Sequence, residues 1–117
     1  MRKAFITGLS GAALTGAERG FLSEARPAGI ILFARNCVAG DQIRRLVGEA
    51  VSAIGAETLV LVDQEGGRVQ RVRPPTARLL PPAAAYAALF RRDPDVACTA
   101  ARLGARLAAE DLRALGF

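Results

Sequence analysis

Two short apolar runs, GIILF (Gly29–Phe33) and TLVLV (Thr58–Val62), restrict what this chain can fold into more than any other feature. Neither alternates apolar with polar residues. Each therefore reads as a strand buried on both faces, which is the habit of parallel sheets. Between them lies the clearest helix in the chain. Ile43, Leu46, Val47, Ala50, Val51 and Ile54 fall on one helical stripe, and Gly55 is a natural C-terminal stop. Strand, amphipathic helix and strand together make a β-α-β crossover.

The same alternation extends in both directions. AFIT (Ala4–Thr7) is a short strand candidate. Thr15 and Glu18 have the spacing of a capping box and open a helix with Ala17, Phe21, Leu22 and Ala25 on its apolar face, closed by Pro27. Downstream, RPPTARLLPP reads as a Pro-rich loop, followed by a short Ala-rich stretch. Asp93-Pro94 favours a turn and a helix start, and a last helix is expected from about Val96 to Leu115. Its polar face would carry Arg102, Arg106, Glu110 and Arg113, and Gly116 would end it. Glu110 and Asp111 read as helix surface or as half of an inter-helix ion pair.

The predicted order is β-α-β-α-β-loop-α, an α/β class. Three strands complete neither a doubly wound sheet of about five or six strands nor a barrel of eight, which needs roughly 200–250 residues. The 117 residues therefore read as a single, incomplete domain, the front part of a larger fold.

Composition narrows the function. The net charge is +5, carried by 15 Arg and one Lys, beside 24 Ala. These arginines are spread along the chain, no like-charge block exceeds two residues, and one Tyr and five Phe offer little stacking surface. A nucleic-acid partner is not expected. Cys37 and Cys98 read as reduced thiols, and the absence of His or a CxxC pair argues against zinc. Gly8, Ser10 and Gly11 interrupt the N-terminal apolar residues, so no secretion signal is read there; no run approaches a membrane span, and the protein is expected to be cytoplasmic.

Three motifs are candidates for chemistry. Gly8-Leu9-Ser10-Gly11 suggests a phosphate loop, but Ala13 and Leu14 stand where that pattern needs Gly and Lys, so a strand-to-helix loop is expected. Arg35 and Asn36 in LFARNC sit at a strand end, where they either support a site or pack against a neighbouring loop. The third is LVDQEGGRVQRV (Leu61–Val72). Asp63 follows a parallel strand at its carboxyl end, where such folds bind ligands. Gly66-Gly67 leaves room for close approach, Asp63 and Glu65 offer acceptors, and Arg68 and Arg71 offer planar donors, a mixture suited to a polyol. Asp63 and Glu65 also invite a paired-carboxylate reading, but a one-residue separation does not assure the ~5–5.5 Å spacing of a retaining glycosidase.

Taken in order, GIILFARN, LVDQEGGRVQR, RLLPPAAA and ARLGARLAAEDLRALGF resemble the bacterial β-N-acetylhexosaminidases of glycoside hydrolase family 3. DQEGGRVQR is the specific element, and the likeness covers nearly the whole chain. It is strongest to the cytoplasmic enzymes of peptidoglycan recycling. It implies the N-terminal part, about three βα units, of a TIM-type (β/α)8 barrel. It further implies retaining hydrolysis of terminal β-linked N-acetylglucosamine from muropeptide fragments, a small carbohydrate substrate, and no metal or organic cofactor. By the same likeness, Asp63 and Arg71 contact the sugar hydroxyls and Glu65 is not the nucleophile. The family's catalytic His and nucleophilic Asp lie beyond the matched stretch, and this chain has no His, so it is expected to lack the chemistry itself. A truncated gene or an incomplete sequence would account for that. A non-enzymatic sugar-binding or interaction module is the alternative.

Overall fold

The computed structural model describes residues 2–117, which form two compact units. One unit reaches to Val62 and includes Leu115–Phe117; the other is Asp63–Ala114.

The first unit is a parallel sheet with helical crossovers. Strands β1 (Lys3–Gly8), β2 (Pro27–Leu32) and β3 (Leu59–Val62) lie in the order β1-β2-β3, with every pairing parallel. The connecting helices α1 (Gly16–Ala25) and α2 (Gly40–Ile54) pack against each other, so both cover one face of the sheet. Arg19 and Glu49 join them by a 3.0 Å ion pair. The capping box forms as its spacing predicts: the Thr15 hydroxyl accepts the Glu18 N–H, and the Glu18 carboxylate accepts the Thr15 N–H. The core is the α2 stripe, with Ile43, Leu46, Val47, Ala50 and Ile54 all buried, closed against Leu22 of α1 and Ile30 and Leu32 of β2.

Two expectations, the buried face of α1 and the burial of β3, are corrected in detail. Pro27 does more than close α1; it opens β2, after Arg26 turns the chain in the left-handed region. On α1, Phe21 is half-exposed and Ala17 exposed, so the buried stripe reduces to Leu22 and Ala25; Phe21 instead meets the Phe5 ring, with centroids 6.4 Å apart. β3 is not buried on both faces. Register puts Ile6, Ile31, Leu59 and Leu61 on the sheet face away from α1 and α2. There Ile6 is 49%, Leu59 57% and Leu61 37% exposed. The three parallel strands form an open sheet, the extent expected of about three βα units.

The second unit contains what sequence periodicity did not resolve. β4 (Gln64–Gly66) and β5 (Val69–Gln70) make a short antiparallel hairpin. The Pro-rich segment follows as irregular chain, as expected, and leads to α3 (Ala83–Phe90) and α4 (Pro94–Arg113). The Ala-rich stretch is thus a helix in its own right. α4 begins at Pro94, with the Asp93 side chain accepting the Val96 N–H at 3.0 Å. Tyr86 of α3 lies over Gly104 of α4, where any β-carbon would collide with its hydroxyl. Among the described residues no helix is long and apolar enough to cross a membrane.

Candidate functional site

Within the second unit, the hairpin begins at Asp63, the residue directly after β3. Gly66 (φ 88°), the last residue of β4, and Gly67 (φ 62°), which opens the Gly67-Arg68 turn, take backbone conformations that L side chains resist. Space imposes the same choice at Gly66, since a β-carbon there would overlap the carbonyl oxygens of Pro81 and Leu80. The Gly67 N–H donates to Leu80 O at 3.1 Å, which ties the turn to the Pro-rich segment.

This fold brings Asp63 and Arg71 together across the hairpin. The Arg71 N–H donates to the Asp63 carbonyl at 3.2 Å, and a terminal guanidinium nitrogen lies 3.4 Å from Asp63 Oδ2. Their side chains are 39% and 30% exposed, so both reach solvent. The contact is long and single, unlike the bidentate pairing Arg makes when fully engaged. Arg71 Nε is buried without a hydrogen-bond partner, a costly arrangement that native proteins retain at few positions. Glu65 is exposed on β4, and Arg68 is exposed at the turn. A carboxylate acceptor and a guanidinium donor side by side can bind two neighbouring hydroxyls of a polyol.

Two glutamines that sequence reasoning passed over brace the backbone next to this pair. The Gln64 amide closes both polar groups of Val72, and the buried Gln70 amide serves Val72 O, Arg78 O and the Leu80 N–H. Both are uncharged and close to expected turn residues, so only a count of backbone partners could have found them. Asp111 does not pair with another helix. It accepts the backbone N–H and three guanidinium contacts of Arg78, at 2.8–3.1 Å, and so fixes the Pro-rich segment to α4. The Arg78 hydrogen bonds hold the Asp111 carboxyl below its ordinary range, and the same bonds raise the Arg78 guanidinium.

In the first unit, Arg35 and Asn36 support a loop. Asn36 is fully buried, donating to Leu9 O and Gly11 O while accepting the Phe33 N–H. Arg35 donates to Leu9 O and lies over the Phe33 ring. The Gly8–Gly11 segment is the strand-to-helix loop that its sequence suggests. Both cysteines are free; burial pushes the Cys37 thiol up to about 11. Among the described residues no group of three or more His, Cys, Asp or Glu could hold a metal ion.

The chain is similar to known proteins over nearly its whole length. A beta-hexosaminidase of Xanthomonas axonopodis pv. citri (strain 306) is 38% identical over 111 residues, covering 95% of this chain and 33% of that protein. A beta-hexosaminidase of Stenotrophomonas maltophilia (strain R551-3) is 39% identical over 112 residues, covering 96% and 33%. Among solved structures, NagZ from Neisseria gonorrhoeae in complex with N-trifluoroacetyl-D-glucosamine superposes with a TM-score of 0.92 at 32% identity, covering 99% of this chain and 35% of that one. A glycoside hydrolase family 3 beta-N-acetylglucosaminidase from Paenibacillus sp. str. FPU-7 gives 0.82 at 28% identity, covering 96% and 21%. No family model matches the chain. The chain spans about a third of the length of the curated relatives it matches.

Proposed function

Because the chain is a relative of the β-hexosaminidases of glycoside hydrolase family 3 over nearly its whole length, we propose that it forms the N-terminal part of a β-N-acetylhexosaminidase barrel and supplies one edge of the sugar site. Two features of the first unit support a (β/α)8 wall. Consecutive parallel strands are neighbours, and their helices lie on one face while the other face carries Ile6, Ile31, Leu59 and Leu61. A barrel has helices outside and branched apolar side chains inside.

The observation that carries the function is the Asp63–Arg71 pair, half-open to solvent on a hairpin directly after a parallel strand. Asp63 accepts from sugar hydroxyls and Arg71 donates to them. Their ligand is the terminal N-acetylglucosamine of a cytoplasmic muropeptide fragment. In a retaining glycosidase these contacts fix the ring while other groups act as nucleophile and acid/base. The chain has no His, and its Asp63 carboxylate already faces a guanidinium, so binding falls to these residues and bond cleavage does not. Purified chain should therefore give no turnover of a chromogenic N-acetylglucosaminide above background. Hydrolysis that co-purifies with the chain and disappears in Asp63→Ala would sink this division of labour.

A second reading is a non-enzymatic sugar-binding or interaction module. It draws on the hairpin unit's dense internal hydrogen bonding. A single cooperative unfolding transition without self-association in the isolated chain favours the module, and concentration-dependent association through the exposed sheet face favours the barrel part.

A further inference from the structure

We propose that Gln64 is a positioning residue for Arg71, its side-chain amide holding the guanidinium at the binding edge. The inference rests on reading Asp63 and Arg71 as sugar contacts. The β4–β5 ladder pairs only Gln64 with Gln70 and Gly66 with Val69, with an irregularity between them. Arg71 lies beyond its last rung, its backbone joined to the other strand by one long bond, from its N–H to Asp63 O at 3.2 Å. The guanidinium has little of its own to fix it: one 3.4 Å contact to Asp63 and a buried Nε with no partner.

What fixes it is the backbone on either side. Gln64 Nε2 donates to Val72 O at 2.8 Å, and Gln64 Oε1 accepts the Val72 N–H at 3.0 Å. One side chain thus satisfies both backbone groups of the residue after Arg71, as an added strand would. On the other side, Gln70 is 2% exposed and anchored to Val72, Arg78 and Leu80. Gln64 also directly follows Asp63 in the chain, so a single residue sets both the acceptor and the donor of the pair.

Gln64→Met keeps the side-chain length and removes both bonds. In the 117-residue chain it should speed Val72 amide exchange about tenfold and weaken N-acetylglucosamine binding about tenfold. The Arg71 Nε–Hε NMR signal should move towards that of a mobile side chain while amide dispersion elsewhere is kept. Gln64→Glu separates positioning from loss of fold. A protonated carboxylic acid offers one donor and an acceptor, as the amide does, whereas a carboxylate offers acceptors only. Arg71 order should therefore be lost in this variant at neutral pH and recovered on acidification. Asp63, Glu65, Arg68, Arg71 and Arg73 are common to both proteins, so the same pH series on the unsubstituted chain removes their contribution. Arg71 equally ordered in Gln64→Met and in the unsubstituted chain, or no acid recovery in Gln64→Glu, overturns the assignment. If the unsubstituted chain binds no N-acetylglucosamine while Arg71 order still follows Gln64, the sugar reading fails and the positioning role stands.

Discussion

Arg71 works through geometry as well as charge. Its backbone N–H is on Asp63 O and one terminal guanidinium nitrogen lies 3.4 Å from Asp63 Oδ2, so a lysine in its place would keep the charge and lose the planar fork. Arg71→Lys should weaken N-acetylglucosamine binding about tenfold, seen by saturation-transfer NMR, without lowering the melting temperature. The cysteines should react unequally. With its thiol at about 11, Cys37 is roughly one part in a thousand thiolate at pH 8. Cys98 is exposed, so a thiol reagent should label it first and Cys37 much more slowly. Glu18 contributes to the acid limb, alongside Asp111. Burial opposes its ionisation, but N–H donors from Ser10 and Thr15 and the Thr15 hydroxyl outweigh that, leaving its carboxyl at about 2. A carboxyl lowered on folding stabilises above its unfolded value, near 4.3, and that stability is lost as pH falls towards 2. Glu18→Gln should cost about 1 kcal/mol at neutral pH and flatten melting temperature against pH between those limits.

Elements differ in how much of them could be read in advance. The Thr15–Glu18 box and the α2 stripe were legible because their signals lie within one or two helical turns. The hairpin was not: β4 has three residues and β5 two, and their support comes from amides bonded eight to ten residues away. Asp63 and Arg71 were named from the resemblance, but their facing each other follows from the hairpin that Gly66 and Gly67 allow. α3 was missed because Ala83–Phe90 is almost wholly apolar and has no polar face to mark a period. The turn itself gives the sharpest test at this scale. Gly66→Ala meets both a positive φ and the Pro81 and Leu80 carbonyls, and should cost about 1–3 kcal/mol in chemical denaturation.

Across the whole molecule, the difference between expected and observed burial lies on one sheet face. Composition marks Leu59 and Leu61 as core residues, and nothing in a sequence tells whether a second layer covers them. Ile6, Leu59 and Leu61 together form an apolar surface of the kind that binds dyes and other chains. Leu59→Thr should lower both ANS fluorescence and concentration-dependent association while leaving the hairpin's amide signals in place. The relatives are about three times longer than this chain, and the proposed division assigns it sugar binding without cleavage. The most direct test is the affinity of the 117-residue chain for N-acetylglucosamine, measured by saturation-transfer NMR alongside Asp63→Ala. Saturable binding that drops about tenfold or more in the variant, with its fold unchanged, is the expected result. No binding by the unsubstituted chain, or equal binding by both, would contradict it.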